Sequence, residues 1–318
     1  MLKYVGRRAL QWLPVLFVSS VVVFSIVHLL PGDPAVALAG PDASSSVVES
    51  LRRSLGLDRP LPVQYVEWLG RALHGDFGDS YVYHSPASGL IFSRLPASLV
   101  LAVSALVLAL LFAIPAGVIS AVREGGVVDK AVSALTSFMI ATPNFWFGIL
   151  IVLLFAARLN WLPAGGYVSI TENPGVAIQY LIMPAAALGL NGAATLARFT
   201  RTSLLDVLND DFIRTARAKG ATPIRLIVRH ALRNSLVPLL TMIGIVFGHT
   251  IGGAVIVESV FAWPGIGRLL VQSIGSRDYS VVQGLLLILV LLFLIINLIV
   301  DVLYGVLDPR IRVSGKTS

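Results

Sequence analysis

Residues 206–238 are the most informative stretch of this chain. They read DVLNDDFIRTARAKGATPIRLIVRHALRNSLVP, a polar and strongly basic stretch between two long apolar runs. Gly220 suits a helix C-cap, Thr222 an N-cap and Pro223 the first position of a following helix. The stretch therefore predicts two short helices, 206–219 and 223–233, that meet at a sharp break.

The second of these helices is predicted to be amphipathic. Its apolar residues recur at helical spacing and form one stripe, while three arginines line a separate face. The stripe comprises Ile224, Ile227, Val228, Ala231 and Leu232, and the basic face comprises Arg225, Arg229 and Arg233. A helix pair of this kind, held at a membrane surface, has the shape needed to dock a soluble partner.

The composition is that of a membrane protein. Hydrophobic residues make up 56% of the 318 residues, charged residues make up 13%, and the mean hydropathy is +0.84, unlike an ordinary soluble domain. Six uncharged runs each exceed the roughly 20 residues that an α-helix needs to cross a bilayer. These runs are 9–30, 95–122, 131–157, 174–197, 234–257 and 279–300. Because backbone groups in lipid must be paired internally, the sequence predicts an all-α integral membrane protein with six transmembrane helices.

The basic residues predict the orientation of these spans. Most of the 24 Lys and Arg residues lie in the N-terminal tail, in 123–130, in 198–233 and after the sixth run. The positive-inside rule then places both termini and residues 206–233 in the cytoplasm. The net charge of +7 has the same origin, so it does not indicate nucleic-acid binding. The predicted parts are a tail with the first span (1–30), an extracytoplasmic loop (31–94), a transmembrane core (95–305) and a cytoplasmic tail (306–318).

No catalytic or nucleotide-binding motif is recognisable in the sequence. Gly315-Lys316-Thr317 resembles the end of a phosphate-binding loop, but Arg310 stands where that motif requires its first glycine. The sequence has no cysteine, so thiol catalysis and cysteine-based metal sites are excluded, and no metal site is predicted.

The six runs also lack Asp, Glu, Lys and Arg, whereas ion-driven transporters usually rely on ionisable groups inside the membrane. We therefore expect a non-catalytic chain that draws its energy from a partner. An ion-gradient-driven transporter or channel is the alternative, and a membrane scaffold without transport is a third hypothesis.

A few polar side chains within the runs are candidates for a translocation pathway. They are Asn144, Asn191 and His249, each of which could instead form hydrogen bonds between helices. On the outer side, residues 261–274 predict a short amphipathic helix after a break at Pro264-Gly265. Its apolar face would comprise Ile266, Leu269, Leu270 and Ile274. Phe261, Trp263, Pro264 and Gly265 are candidates for an extracytoplasmic gate, with a purely structural interface helix as the alternative.

Several separated motifs resemble those of ABC importer permeases, most closely the dipeptide/oligopeptide/nickel branch. TARAKG at 215–220, RHALRN at 229–234 and Pro238 resemble the "EAA" coupling loop of that family. Further matches are PGDP at 31–34, TPNFW at 142–146, ESVFAWPGIGR at 258–268, NLIVD at 297–301 and DPRIR at 308–312. One departure is that Arg214 stands where the general pattern has its glutamate, as is common in the peptide branch.

The resemblance implies a type I importer permease fold with a cytoplasmic coupling helix, in the cytoplasmic (inner) membrane. Two cytoplasmic ATPase subunits would bind ATP and Mg, and a second homologous permease would complete the pore. An extracytoplasmic binding protein would deliver the solute, and this chain would hold no cofactor itself. The contacts to one ATPase would be Thr215, Ala216, Lys219, Gly220, Ala221, Arg225, Arg229 and His230.

The resemblance favours this docking over binding of the basic face to anionic lipid alone, although contact with membrane lipid is expected of the spans. Peptides are the default solute, with nickel, haem-like or glutathione-like cargo left open.

Overall fold

The computed structural model describes residues 2–29, 34–40, 43–54 and 56–307, which are mostly helical. The helices are α1 (Leu2–Leu29), α2 (Pro34–Ala39), α3 (Ser45–Ser54), α4 (Leu61–Leu73), α5 (Ala87–Val122), α6 (Val127–Ala141), α7 (Asn144–Ile151), α8 (Pro174–Leu208), α9 (Asp211–Ala218), α10 (Pro223–Arg225), α11 (Leu232–Val260), α12 (Ile266–Gly275) and α13 (Tyr279–Leu307). Two π-helical segments follow α7 and α10, at Val152–Arg158 and Leu226–Ala231. Strands β1 (Asp79–Ser80) and β2 (Ser85–Pro86) pair antiparallel. Residues 31–33 of the PGDP motif and the tail beyond 307 lie outside the described residues.

Four helical segments among the described residues are long and apolar enough to cross a membrane. They are Ala87–Val122, Pro174–Leu208, Pro238–Val260 and Tyr279–Leu303. The apolar part of the first predicted span, Leu10–Ile26, is shorter. A fifth span is reached if α6 and the helical stretch Asn144–Arg158 are counted as one.

The third predicted span, 131–157, is bent, and the expectation of one uninterrupted helix there was wrong. Its two arms, Val127–Ala141 and Asn144–Arg158, are bent relative to each other by 102°. Thr142 has extended backbone angles, with φ −85° and ψ 122°, and it precedes Pro143. A proline disfavours helical angles in the residue before it and has no N–H for the helix ladder, so the helix ends here and starts again.

The chain forms two compact units. The first comprises Met1–Pro96 and Pro264–Ile295. Its core contains Phe77 and Ile91, with residues of α12 and α13. In α12, three residues of the predicted apolar face are buried, namely Ile266, Leu269 and Leu270, whereas Ile274 is 50% exposed and Ser273 is buried instead.

The second unit comprises Ala97–Trp263 and Ile296–Ser318, and α8 is its central helix. Small residues allow neighbouring backbones to approach α8 closely, as is usual between membrane helices. A Cβ added at Gly189 would lie 2.6 Å from the carbonyl oxygen of Ala105 in α5. A Cβ added at Gly117 of α5 would lie 2.7 Å from the carbonyl oxygen of Ala197. The helices α5 and α8 are therefore in direct backbone contact at two levels.

Candidate functional site

The sharp break predicted at Gly220 is present. Helix α9 ends at Ala218, and Gly220 follows with φ +81°, a left-handed conformation that glycine adopts without a steric penalty. The N–H of Gly220 donates to the carbonyl oxygen of Arg217 (3.0 Å), and the N–H of Ala221 donates to that of Ala216 (3.1 Å). These bonds close the helix end and turn the chain towards α10. We call residues 206–233 the coupling segment.

The two arms of the coupling segment differ from the predicted helix pair. Residues 206–208 are the last turn of α8, and the chain breaks at Asn209 and Asp210 before α9 begins. Asp210 has extended angles at the N-cap position, where short polar residues are favoured. The second arm is not a separate short helix, since α10, the π-helical segment and α11 follow one another without a break. Thr222 occupies the predicted N-cap position, but its side chain makes no capping hydrogen bond.

A buried apolar cluster seats the coupling segment on the ends of α5 and α8. Ile213 and Ala231 have 0% exposure and Leu226 has 4%. They pack with Ala121 of α5 and Leu204 of α8, and Ala216 and Ala221 contact the same cluster while partly exposed. We call this cluster the seat, and it fixes the segment to the rest of the second unit.

The predicted apolar stripe was wrong in two of its members. Ile224 is 76% exposed and Val228 is 58% exposed, whereas Leu226, which the stripe omitted, is buried. The cause is the π-helical backbone, whose i→i+5 bonding brings residues five apart onto one face. Leu226 and Ala231 have that spacing. An ordinary helical period therefore assigns the inner face incorrectly here.

The outward face of the segment combines positive charge with exposed apolar side chains. Lys219, Arg225 and Arg229 are exposed, as are Thr215 and Gly220. Ile224 and Val228 lie on the same arm as the two arginines. His230 is half-buried, and its carbonyl oxygen accepts a hydrogen bond from Asn234 Nδ2 at 2.8 Å. The eight predicted contact residues thus divide into an exposed group and a group turned partly towards the protein, namely Ala216, Ala221 and His230.

Two of the predicted pathway residues share an unusual property. The side-chain oxygens of Asn144 and Asn191 are both buried without a hydrogen-bond partner in the described part of the chain. Asn144 is the first residue of α7, directly after the bend. Helices α7 and α8 are close at Gly148, where an added Cβ would lie 3.5 Å from the Cβ of Ala187. Asn144 and Asn191 are each four residues from that contact. His249 is exposed on α11 and shows no such feature.

The aromatic residues proposed for an outer gate are packed inside the second unit. Phe261 and Trp263 are each 1% exposed. Trp263 Nε1 donates to the carbonyl oxygen of Ala97 at 2.9 Å, and its ring meets Tyr167 edge-on at 4.9 Å. The carbonyl oxygen of Phe261 accepts a bond from Gly166 N at 2.9 Å. The loop 159–173 is therefore held by the Trp263 ring and by the backbone of Phe261.

The other two gate candidates, Pro264 and Gly265, lie in the first unit, where Gly265 is buried at the N-cap position of α12.

A partly buried ion pair near the seat was not predicted from the sequence. Asp129 at the start of α6 and Arg201 of α8 bind each other through two hydrogen bonds. The two residues are 72 positions apart, and nothing in the local pattern of either one points to the other. Among the described residues, no group of three or more His, Cys, Asp or Glu side chains is placed to hold a metal ion.

Comparison with known proteins gives the family. The family described as "Binding-protein-dependent transport system inner membrane component" matches residues 113–313, and its N-terminal companion matches residues 1–102. The chain belongs to this family of permeases. The resemblance to ABC importer permeases that the motifs indicated is therefore confirmed.

Named relatives agree with this assignment. The glutathione transport system permease protein GsiC of Escherichia coli strain K12 is 44% identical over 312 residues, covering 98% of this chain and 99% of GsiC. GsiC of Shigella dysenteriae serotype 1 gives the same identity and coverage. Among solved structures, the inward-facing MetNI methionine ABC transporter matches with a TM-score of 0.57 and 21% identity, over 69% of this chain and 96% of that chain. This last likeness supports the fold alone.

Proposed function

We propose that this permease forms half of the translocation pore of an ATP-driven importer and couples it to a cytoplasmic ATPase through the coupling segment. The observation that carries the proposal is the construction of that segment. Its inner residues are fixed in the seat, while its outer face offers exposed apolar and basic side chains in a chain of the permease family. Exposed apolar side chains of this kind are more stable when a groove on a soluble subunit covers them than when they face water.

The proposed complex has four further subunits. Two cytoplasmic ATPases would bind ATP and Mg, and a second homologous permease would complete the pore. An extracytoplasmic binding protein would present the solute. The chain would span the inner membrane six times with both termini in the cytoplasm, and α1 and the bent α6–α7 pair would supply the spans beyond the four long helices.

The proposed solute class is di- or oligopeptides or a related small molecule. Glutathione is itself a tripeptide, and relatives named as glutathione permeases are 44% identical to this chain. The buried, unpartnered side-chain oxygens of Asn144 and Asn191 support a pathway that uses hydrogen bonding. Leaving a buried acceptor unpaired costs roughly 1–3 kcal/mol. The N–H groups of a passing peptide would satisfy both oxygens, so we place these two residues on the translocation pathway.

The alternative of an ion-driven carrier requires ionisable groups within the spans. The fifth uncharged run ends at Val257, but α11 continues and carries Glu258, which is 0% exposed and accepts a bond from Ser98 Oγ at 2.5 Å. An ionisable side chain therefore lies within the spanning segment Pro238–Val260, although the uncharged run in the sequence ends one residue before it. A buried carboxylate is the kind of group that could couple transport to an ion gradient. The ion-driven carrier is therefore tested by its own measurement.

The deciding experiment purifies the full chain from its native membrane and compares two measurements. The proposal expects a co-purifying ATPase and second permease, with uptake of labelled glutathione or dipeptide into proteoliposomes only when ATP is supplied. Uptake by the chain alone, driven by an imposed proton or sodium gradient, would establish the carrier instead. Glu258→Gln separates the two outcomes further, because only the ion-driven carrier needs that charge for coupling.

A further inference from the structure

Asp129 is a buried carboxylate whose two oxygens are both hydrogen-bonded. Its side chain is 6% exposed and receives four hydrogen bonds. Arg201 donates through Nε to Oδ1 (2.6 Å) and through Nη2 to Oδ2 (2.8 Å). Ser120 Oγ donates to Oδ1 at 2.5 Å, and the N–H of Gly125 donates to Oδ2 at 2.9 Å. We call this arrangement the clamp.

The clamp joins three helices at the end where the coupling segment sits. Ser120 belongs to the last turn of α5, Asp129 to the first turn of α6 and Arg201 to α8. The paired bonds between a guanidinium and a carboxylate fix the orientation of both groups as well as their distance. The clamp therefore sets the position of α6 relative to α5 and α8.

The clamp is adjacent to the seat. Ala121, which follows Ser120, and Leu204, which lies three residues after Arg201, are both buried members of the seat. Helices α5 and α8 are already held together at Gly117. Helix α6 also packs along α8, and its Met139 contacts the core that α5 and α8 share. No residue of α6 belongs to the seat cluster, so at the end next to the seat the clamp is the polar connection between α6 and the elements that carry the coupling segment. Helix α6 then leads directly to the 102° bend and to Asn144.

We propose that Asp129 and Arg201 are positioning residues that make α6 and the coupling segment move as one rigid body. Movement of the ATPase would then be transmitted through the clamp to the bent α6–α7 pair. The proposal rests on the proposed function for its biological meaning, but the rigid connection is a property of this chain and is measurable on its own. A lysine at position 201 would keep the charge and lose the fork that grips both oxygens.

The absence of cysteine makes a direct distance measurement possible. Spin labels would be placed by Leu135→Cys in α6 and Ala218→Cys in α9, both exposed positions. Double electron–electron resonance would be recorded for the full complex in nanodiscs, without nucleotide and after trapping with ATP and vanadate. We expect one narrow distance that is the same in both states. Asp129→Ala is expected to broaden it and to make it differ between the states, and Arg201→Lys to have a smaller effect of the same kind.

Controls separate a positioning role from a contribution to stability alone. Glu67→Ala removes an exposed ion pair with Arg59 in the first unit and should leave the labelled distance unchanged. If Asp129→Ala or Arg201→Lys lowers the unfolding temperature but retains the narrow, nucleotide-independent distance, the positioning role is overturned. If no ATPase co-purifies, the proposed function is contradicted. The distance between the labels in the full chain without partners still tests whether the clamp positions α6. In that measurement without partners, distance distributions of equal width for Asp129→Ala and the parent chain would refute the positioning role of the clamp.

Discussion

At the scale of single residues, the coupling segment depends on one glycine and a few exposed side chains. Gly220 is needed for its backbone angle and not for space, since an added Cβ would meet nothing within 4 Å. Replacements should therefore be ranked by how well they tolerate a positive φ. Asn and Asp tolerate it better than other residues, and β-branched residues tolerate it least.

Gly220→Val should weaken the complex, and Gly220→Asn should not. A left-handed backbone costs most non-glycine residues about 1–2 kcal/mol, which a short exposed turn cannot offset through packing. The amount of ATPase that co-purifies with each variant measures the effect. Wild-type recovery with Gly220→Val would show that the turn geometry is not required for docking.

Ile224 is the most exposed large apolar side chain of the coupling segment. Ile224→Asp should reduce the co-purified ATPase without lowering the amount of folded permease, because the side chain is 76% exposed and contributes little to the seat. Leu73→Asp is the matched control, since Leu73 is 78% exposed but belongs to the first unit. Equal recovery of ATPase from both variants would contradict docking at Ile224.

At the scale of helices, the second unit depends on close backbone contacts around α8. Gly189 lies against the backbone of Ala105, whereas Gly252, inside α11, has nothing within 4 Å of an added Cβ. The two glycines have the same chemistry and different surroundings. Substituting each of them with alanine therefore measures how much the close contact at Gly189 contributes to stability.

Gly189→Ala should destabilise the fold, because the new methyl group would force α5 and α8 apart. Overpacking of this kind costs typically about 1–3 kcal/mol. Gly252→Ala should be neutral or slightly stabilising, since alanine is the better helix former. Thermal unfolding of each purified variant in detergent measures its stability relative to the unsubstituted permease. The packing argument would be refuted if Gly189→Ala matched the stability of Gly252→Ala.

The sequence predicted some of these elements and missed others for identifiable reasons. The turn at Gly220 was predictable because glycine and proline act locally. The bend at Thr142-Pro143 had the same local signal, but the uncharged run around it favoured one continuous helix. The exposure of Ile224 and Val228 was not predictable, since the π-helical bonding depends on how the segment packs in the seat. The pairing of Asp129 with Arg201 depends on tertiary structure alone.

At the level of the whole molecule, we propose that the chain is half of a pore that takes its energy from a partner. In the proposed importer, ATP would favour one state of the pore over the other through the coupling segment. Moving a 1:99 mixture of states to 99:1 requires about 5.5 kcal/mol of differential stabilisation. In this proposal the ATPase acts on the exposed face of the coupling segment, and the clamp transmits the movement to the bent span.

The chain without its partners should therefore not accumulate solute. Proteoliposomes holding only this permease are expected to show no net uptake of labelled glutathione or dipeptide, with or without ATP or an ion gradient. The full complex with ATP serves as the positive control. Concentrative uptake by the permease alone would refute the division of labour between pore and ATPase.

Cross-linking from position 224 shows directly whether the coupling segment docks on a cytoplasmic ATPase. Ile224→Cys gives the chain a single thiol, to which a photoactivatable reagent is attached in sealed native membrane vesicles of known orientation. We expect a cross-link from position 224 to a cytoplasmic ATPase, identified by mass spectrometry. The matched variant Leu73→Cys should give no cross-link to that subunit. Labelling of the position 224 thiol from the outside, or cross-links from it to lipid alone, would contradict the account.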